Sequence, residues 1–378
     1  MRRSADAVVV GGGVIGLAVA YSLAREKLAV TLVERGRVGR EASWAAAGYL
    51  SFQGSSNRPG PRLELTRTSA RMYEEWIRGL GELTAAETGF WRSGLLELYV
   101  EDAEVREARE RAAWQRTAGY AVEWLDETSV RKRHRALAPE LPVRGALLFP
   151  EVAQVRPPRL LKALEEAVRR LGVDIRECSA AAGLARSGDR VAGVGLASGE
   201  SISAPIVVNA AGSWASQLAP EMAVMPIRPI KGTIVLLEVA TQPSREILVS
   251  AAGSLYPRAD NTLLLGATME DVGYDRRVKL EAVRTLVQQA LELMPGLRDA
   301  NLVTAWTGLR PYSHDNVPYL GAVPDLEGAF VAAGHYRSGI LLAPITGLLL
   351  KEVILRQAST LPMEPYQMSR ALLQPAAS

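Results

Sequence analysis

Three glycines near the start of the chain have the spacing that binds a dinucleotide. Gly11, Gly13 and Gly16 form the pattern G-x-G-x-x-G, which allows a tight turn and brings backbone N–H groups close to a pyrophosphate. Glu34 follows where a carboxylate can accept hydrogen bonds from both hydroxyls of an adenosine ribose, and its charge would repel a 2′-phosphate. The pattern therefore predicts a bound dinucleotide, but it does not separate NAD from FAD.

The elements around these glycines predict a β-α-β unit. Residues 5–10 and 29–34 are short apolar runs typical of buried parallel strands, and residues 14–25 between them predict a helix. Residues 7–24 carry no charge, which superficially resembles a signal peptide or a membrane anchor. The consecutive glycines and the second strand favour a nucleotide-binding unit instead.

The composition limits the possible functions. With 378 residues and 48% hydrophobic content, the chain is long enough for two cores. The 44 basic residues exceed the 41 acidic ones by too few to indicate a nucleic-acid-binding surface, so we expect a small-molecule partner and no nucleic acid. We also expect no membrane span, because glycines interrupt the first apolar run and the other, at 339–350, is too short to cross a bilayer. Cys178 is the only cysteine, which favours a reducing, cytoplasmic compartment.

The three histidines, at 134, 314 and 335, do not have metal-ligand spacing, and we expect no metal. His134 lies in a basic run and is expected to be solvated.

The rest of the chain predicts an α/β protein (α+β overall) with two domains. A nucleotide-binding, Rossmann-like domain is expected from residues 1–90, 145–220 and 300–378. A second, sheet-rich antiparallel domain that binds the substrate is expected from residues 91–144 and 221–299. Helices are predicted at 63–80, 157–171, 279–293 and from Gly339 onward, and strands at 173–176, 206–211, within 227–269 and at 329–333. Residues 304–320 return the chain to the nucleotide-binding domain.

Four segments together resemble the D-amino-acid oxidase family of flavoproteins, and particularly the glycine oxidases linked to thiamine biosynthesis. The resemblance covers nearly the whole chain. The first segment is the N-terminal unit with the small-residue run Ser-Trp-Ala-Ala-Ala-Gly-Tyr at 43–49, and the second is Asn-Ala-Ala-Gly-Ser-Trp at 209–214. The third is Gly-Leu-Arg-Pro at 308–311 with Pro-Tyr-Leu-Gly at 318–321. The fourth is Gly-His-Tyr-Arg-Ser-Gly-Ile-Leu-Leu-Ala-Pro at 334–344.

This resemblance implies that the cofactor is FAD, held non-covalently, because Ala45 follows Trp44 where flavin-linked relatives carry a histidine. The helix N-terminus within 334–344 would place N–H groups at the pyrimidine end of the isoalloxazine and stabilise negative charge there. The residues expected around FAD are Gly11, Gly13, Val14, Ile15, Gly16, Glu34, Arg35, Ala42, Ser43, Ala46, Ala47, Gly48, Tyr49, Ala181, Ala211, Gly212, Trp214, Gly308, His335, Tyr336, Arg337, Ser338, Gly339, Ile340 and Leu341.

The substrate side is predicted from two arginines. A guanidinium holds a carboxylate through two parallel hydrogen bonds, and the resemblance makes Arg310 the main clamp with Arg337 beside it. The alternative is that one of them forms a structural ion pair with a backbone or side-chain acceptor. Tyr256 and Met269 are further candidates; the related enzymes carry a tyrosine where Ser254 falls here, so Tyr256 either replaces it or belongs to the core.

The predicted reaction is hydride transfer from the α-carbon of glycine, sarcosine or a small D-amino acid to flavin N5, followed by hydrolysis of the imine. Dioxygen, giving hydrogen peroxide, is the expected electron acceptor. A dehydrogenase with another acceptor and a non-catalytic flavin-binding subunit or tRNA-modifying flavoprotein remain alternatives. The loop 51–60 lacks the acidic residue typical of the family, which leaves the exact substrate open. The resemblance also suggests a homo-oligomer, with a tetramer as one possibility.

Overall fold

The computed structural model describes residues 4–54 and 59–373; part of the loop 51–60, residues 55–58, lies outside the described residues. The α-helices are α1 Val14–Arg25, α2 Pro61–Thr84, α3 Asp102–Thr117, α4 Glu127–Arg133, α5 Pro157–Arg170, α6 Leu280–Leu293 and α7 Gly339–Ile354. The strands are β1 Ala7–Val10, β2 Val30–Val33, β3 Tyr49–Leu50, β4 Trp91–Arg92, β5 Leu95–Tyr99, β6 Glu123–Leu125, β7 Gly145–Phe149, β8 Ala153–Gln154, β9 Asp174–Arg176, β10 Ala181–Ser187, β11 Arg190–Leu196, β12 Ser201–Ser203, β13 Ile206–Asn209, β14 Ile227–Glu238, β15 Ile247–Ser250, β16 Gly253–Pro257, β17 Thr262–Gly266, β18 Asn301–Ser313, β19 Tyr319–Ala322 and β20 Ala329–Ala333.

A six-stranded sheet forms the nucleotide-binding half, in the order β19-β20-β13-β1-β2-β9. All its pairs are parallel except β19 with β20. Successive side chains of β1 point to opposite faces, so Val9 packs with helices α1, α5 and α7, whereas Val8 and Val10 pack towards β11 and β12. The predicted β-α-β unit and the Rossmann-like fold class are confirmed.

An eight-stranded sheet forms the second half, in the order β18-β14-β17-β16-β15-β5-β7-β6. Its pairs are antiparallel except β15 with β5. One face carries α6, and the other carries α3 and the segment that contains Ala47 and Tyr49. The sheet therefore turns one face towards the glycine-rich half.

Strand β18 physically joins the two halves. Its pairing with β14 runs from Ser313 opposite Ile227 to Asn301 opposite Glu238, and Tyr312 bridges to His335 beside β20. The prediction assigned residues 145–220 and 300–378 to the nucleotide-binding domain. Strands β7 and β18 begin at or next to these boundaries, but both pair within the eight-stranded sheet. Those boundaries stay predictions.

Two features differ from the sequence expectations. Strands β10–β12 form a small antiparallel sheet that the patterning missed, because β10 is mostly solvent-facing and β11 contains glycines that weaken the strand signal. His134 is not solvated: it is 3% exposed and its Nε2 lies 3.7 Å from Glu246 Oε2. Helix α4 ends at Arg133, and the side chain of the next residue is buried.

Among residues 4–54 and 59–373, no helix combines the length and the apolar character that crossing a bilayer requires.

Candidate active site

A cavity of about 650 Å³ lies between the two large sheets. Of the residues predicted to contact FAD, it is lined by Gly11, Gly13, Val14, Ile15, Glu34, Arg35, Ala42, Ser43, Ala46, Ala47, Gly48, Tyr49, Ala181, Ala211, Gly212, Trp214, Gly308, His335, Tyr336, Arg337, Gly339 and Ile340. The predicted substrate residues Arg310, Arg337, Tyr256 and Met269 line the same cavity. Gly16 does not, and Ser338 and Leu341 line a second cavity that adjoins the first.

The first glycine turn leaves no room for side chains. Gly11 has φ +107°, and a Cβ there would lie 2.5 Å from the carbonyl oxygen of Ala210. A Cβ on Gly16 would lie 1.8 Å from the carbonyl oxygen of Gly11. Gly16 therefore acts by close strand-helix packing, which brings the N-terminus of α1 to the cavity. The positive end of that helix suits a pyrophosphate.

Glu34 stabilises this turn through hydrogen bonds to backbone N–H groups. Its Oε2 accepts a hydrogen bond from the Gly12 N–H at 2.8 Å, and its Oε1 accepts one from the Gly36 N–H at 2.8 Å. The carboxylate is buried, and it retains lone pairs for further donors. Its position at the cavity wall suits the predicted contact with ribose hydroxyls.

Replacing Glu34 by alanine is expected to weaken FAD binding by on the order of 10- to 100-fold, because one buried and one partly buried backbone donor, and the ribose hydroxyls, lose their charged acceptor. The dissociation constant can be measured from the fluorescence of free flavin. The same substitution at Glu151, which is exposed, should leave the constant unchanged. Equal FAD retention in both variants would contradict the role of Glu34.

A wall of small residues lines the middle of the cavity. A Cβ on Gly308 would lie 2.6 Å from the Cβ of Ala45, so β18 and the alanine run touch only because both residues are small. The indole N–H of Trp306 donates to the Ala45 carbonyl oxygen at 3.1 Å, which fixes this approach. This close approach is compatible with the prediction that a flat ring lies against backbone here.

The turn before α7 also lines the cavity. His335 is buried, and its Nε2 lies 3.0 Å from Thr346 Oγ1. Burial lowers the pKa of His335 to about 3, so its ring is neutral at ordinary pH. The N–H of Tyr336 donates to the Pro311 carbonyl oxygen at 2.8 Å and is not available to a ligand. The first N–H groups of α7, at Gly339 and Ile340, are the donors that this turn can direct into the cavity.

The side chain of Arg310 extends across β14 and lines the cavity together with Tyr256 and Met269. Its Nη1 donates to the Thr268 carbonyl oxygen at 3.1 Å, and a Cβ on Gly232 would lie 2.2 Å from its Nη2. Burial lowers the pKa of the Arg310 guanidinium, and the like charge of Arg337 lowers it further. Within the described residues, neither arginine forms an ion pair with a carboxylate. Arg310 Nη1 also lies 3.4 Å from the Lys231 carbonyl oxygen, so Arg310 has the backbone acceptors that the structural alternative requires.

Phenol groups surround the two arginines. Tyr49 raises the pKa of the Arg337 guanidinium through electrostatic attraction and a hydrogen bond. The rings of Tyr49 and Tyr256 lie 5.6 Å apart, and burial raises the pKa of Tyr256 to about 12. The Tyr336 hydroxyl donates to Met269 Sδ at 3.3 Å, although Met269 is 63% exposed. Tyr256 therefore lies in the predicted site, whereas Met269 lies at its solvent edge.

Five side chains next to Glu34 form a chain of contacts, which we call the clasp: Tyr274, Trp214, Arg35, Glu41 and Arg276. The Arg35 guanidinium lies 3.5 Å from the Trp214 ring centroid, and Trp214 stacks on Tyr274 at 5.3 Å. Glu41 Oε1 accepts from Arg35 at 3.0 Å and from Arg276 at 3.2 Å. The clasp connects the loop after β17 to the wall of the cofactor cavity.

Breaking the clasp is expected to speed FAD release. Tyr274→Ala should raise the release rate about 2- to 10-fold, because a stacked aromatic pair contributes about 0.5–1.5 kcal/mol. Tyr274→Phe keeps the stacking and loses the hydrogen bonds that the hydroxyl donates to the Ser213 carbonyl oxygen and accepts from the Gln217 amide, so its rate should lie closer to that of the unsubstituted enzyme. The rate is measured as the rise of flavin fluorescence after dilution. Identical rates in all three proteins would show that the clasp does not retain the cofactor.

Sequence reasoning missed Gly232 and Arg62. A glycine within the apolar alternation of β14 indicates a close approach by another group, so Gly232 could have been noticed from its position. Arg62 lies near the start of α2 and donates to Ser338 Oγ at 3.4 Å, a contact between residues 276 positions apart. Local patterning contains no signal for such a contact.

Comparisons with known proteins agree with this geometry. The family model described as FAD dependent oxidoreductase (DAO) matches residues 6–353. The chain is 34% identical over 373 residues to a glycine oxidase of Geobacillus kaustophilus, covering 98% of each chain, and 31% identical over 414 residues to the hydrogen cyanide synthase subunit HcnC of Pseudomonas aeruginosa, covering 100% of this chain and 99% of that protein. The crystal structure of glycine oxidase from Geobacillus kaustophilus superimposes with a TM-score of 0.93 over 97% of this chain and 99% of the other.

Proposed function

The chain belongs to the DAO family of FAD-dependent oxidoreductases, and from this membership we propose that it oxidises the C–N bond of a small amino acid. One observation carries the choice of substrate. Arg310 is a buried cation in the cofactor cavity, and no described carboxylate pairs with it. A buried charge is costly without a counter-ion, so the ligand of this cavity is expected to bring a carboxylate.

The residues present fit FAD. The N-terminus of α1 suits the pyrophosphate, Glu34 suits the adenosine ribose, and the wall around Ala45 and Gly308 suits the flat ring. When bound, FAD accepts the two electrons and the hydrogen that leave the α-carbon as a hydride. We propose that it is held non-covalently, because Ala45 offers no linking atom.

The chain itself contributes positioning. Arg310 and Arg337 hold the substrate carboxylate, which fixes the direction of the α-carbon. His335 is neutral and bonded to Thr346, and Tyr256, with its raised pKa, keeps its proton at ordinary pH. Neither group is suited to remove a proton from the substrate amine. The substrate is therefore expected to react with its amine already neutral.

For glycine the overall reaction would be glycine, dioxygen and water giving glyoxylate, ammonia and hydrogen peroxide. Sarcosine and small D-amino acids are the other candidate substrates, giving the corresponding 2-oxo acid and amine or ammonia. The similarity to glycine oxidase supports this series and a role in thiamine biosynthesis. We also propose a cytoplasmic homo-oligomer, on the basis of the single cysteine and of the family resemblance.

A dehydrogenase is the second candidate. The full-length similarity to a hydrogen cyanide synthase subunit favours it, because that name describes a protein that works as part of an assembly. Such an enzyme would oxidise the same substrates but pass the electrons to an acceptor other than dioxygen.

Anaerobic mixing tests the proposal. The purified holoenzyme is mixed in turn with glycine, sarcosine, D-alanine and D-proline while the flavin absorbance is followed, and air is then admitted and peroxide assayed. Bleaching followed by recovery in air with peroxide supports the oxidase. Bleaching without recovery in air identifies the dehydrogenase, and no bleaching by any amino acid refutes the substrate class.

A further inference from the structure

Arg258 is a buried arginine that contacts the wall of the cofactor cavity without lining the cavity itself. It directly follows strand β16, and 5% of it is exposed. Its Nη1 donates to the Val155 carbonyl oxygen at 2.8 Å, and its Nη2 donates to the Ala47 carbonyl oxygen. Ala47 lines the cavity, whereas Arg258 does not. Any effect of Arg258 on the cofactor is therefore exerted through the backbone of Ala47 or through its charge.

The backbone of Arg258 is itself held in place. Its N–H donates to the Thr262 carbonyl oxygen at 2.9 Å, and its carbonyl oxygen accepts from Gln242 Nε2 at 2.8 Å. Gln242 Nε2 also donates to the Thr262 carbonyl oxygen at 2.8 Å. Because both ends of the arginine are hydrogen-bonded, its side chain fixes the distance between the eight-stranded sheet and the alanine run.

The two carbonyl groups that Arg258 binds belong to chain segments that touch each other. The Val155 N–H donates to the Gly48 carbonyl oxygen at 2.9 Å. Gly48 has φ +85°, and a Cβ there would lie 2.4 Å from the Val155 carbonyl oxygen. The segments approach closely only because residue 48 has no side chain. A guanidinium can donate to both carbonyl groups at once, since its N–H groups form a rigid planar fork.

The hydrogen bond to the Ala47 carbonyl oxygen fixes the direction of the next N–H group. The peptide between Ala47 and Gly48 is trans, so its N–H points away from its carbonyl oxygen and hence away from Arg258. Gly48 lines the cavity, and its N–H has no hydrogen-bond partner among residues 4–54 and 59–373. The Ala46 and Ala47 N–H groups are likewise unpaired within these ranges. The cofactor can therefore accept hydrogen bonds from this part of the wall.

Arg258 also brings a positive charge to the wall. Burial, together with the like charge of Arg156, lowers the pKa of Arg258 to about 10, so the guanidinium keeps its charge at neutral pH. Asp260 attracts this charge, but the Asp260 carboxylate is hydrogen-bonded to Arg156 and Thr262. A fixed positive charge and fixed N–H donors stabilise a ring more strongly when the ring gains negative charge. Both properties of Arg258 therefore favour the reduced cofactor.

We propose that Arg258 is a positioning residue for the flavin: by holding the Ala47 carbonyl oxygen, it keeps the Gly48 N–H directed into the cavity as a donor to the ring. The reduced flavin is favoured as a result. The inference requires that FAD occupies the cavity, and it does not depend on which amino acid is oxidised or on which acceptor receives the electrons.

The reduction potential of the bound flavin tests this role. Arg258→Met keeps an unbranched side chain but removes the charge and both hydrogen bonds. We expect the equilibrium between oxidised and reduced flavin to shift about 10-fold towards the oxidised form, as the loss of one hydrogen bond allows, which lowers the potential by about 30 mV. The potential is measured on the holoenzyme by anaerobic chemical reduction beside a reference dye, without any amino acid. An unchanged potential overturns the proposal.

Arg258→Lys separates the orientation of the peptide from the charge. Lysine keeps the positive charge but lacks the planar fork that reaches both carbonyl groups. We expect the potential of this variant to stay below that of the unsubstituted enzyme. A fully restored potential would show that the charge alone acts, and it would refute the positioning role. If Arg258→Met does not retain flavin, the potential of Arg258→Lys decides by the same criterion.

Arg131→Met provides the matched control. Arg131 also donates to two backbone carbonyl oxygens, those of Ala138 at 3.3 Å and Leu141 at 2.7 Å, and it does not line the cavity. Its replacement should lower the melting temperature but leave the flavin potential unchanged. An equal shift of the potential in Arg131→Met would mean that any loss of a buried arginine has this effect, and the assignment of Arg258 would fail.

Discussion

Replacing Arg310 by alanine is expected to lower kcat/KM for every carboxylate substrate by roughly 30- to 4,000-fold, while FAD stays bound. The range corresponds to about 2–5 kcal/mol for the loss of one partner of a buried charge pair. The loss should appear mainly in KM, because the guanidinium holds the carboxylate rather than the reacting atoms. Steady-state kinetics and the visible spectrum of the purified variant measure the two effects.

Two variants sharpen this prediction. Arg310→Lys keeps the charge but cannot form two parallel hydrogen bonds, so its activity should lie between those of the alanine variant and the unsubstituted enzyme. Gly232→Ala retains the arginine but adds a Cβ where its guanidinium lies. The displaced guanidinium should hold the carboxylate less well, so this variant should also raise KM. Unchanged kinetics in Arg310→Ala would refute the clamp. Unchanged kinetics in Gly232→Ala alone would show that the guanidinium can move without loss.

Replacing Gly16 by alanine is expected to abolish stable FAD binding and to lower the melting temperature. The added Cβ would lie 1.8 Å from the Gly11 carbonyl oxygen, which belongs to the backbone of the glycine turn. Helix α1 would have to move away from β1, and overpacking of this kind costs about 1–3 kcal/mol in stability. The flavin content after gel filtration and the thermal unfolding curve measure the result.

Gly81→Ala provides the matched control. Gly81 lies in α2, and a Cβ there would meet nothing within 4 Å. The same one-carbon addition should be neutral or stabilise the protein by about 0.4–1 kcal/mol. If Gly16→Ala retains FAD and melts at the same temperature as Gly81→Ala, the close packing at the turn is not needed for cofactor binding.

The cofactor half could be predicted from the sequence because its signals are local. Gly11, Gly13 and Gly16 lie within one turn and one helix, and Glu34 ends the next strand, so their spacing alone predicts their arrangement. The apolar runs predict buried parallel strands for the same reason. The resemblance to a flavoprotein family then identified FAD, which the glycine pattern by itself could not separate from NAD.

The substrate half depended on tertiary structure. Arg310 lies over Gly232 only because β14 and β18 pair in one register, and a shift by one residue would turn the guanidinium to the other face of the sheet. The buried position of His134 likewise follows from packing against Glu246, which its basic neighbours in the sequence do not indicate.

The sequence by itself determined that this chain contains a dinucleotide fold and two arginines suited to a carboxylate. Only the tertiary structure decided that Arg62 and Arg337 line one cavity, next to the one that holds Arg310. The physical reason is distance along the chain. Contacts within a turn or a strand follow from residue type and period, whereas contacts between residues hundreds of positions apart follow from how whole sheets and helices pack.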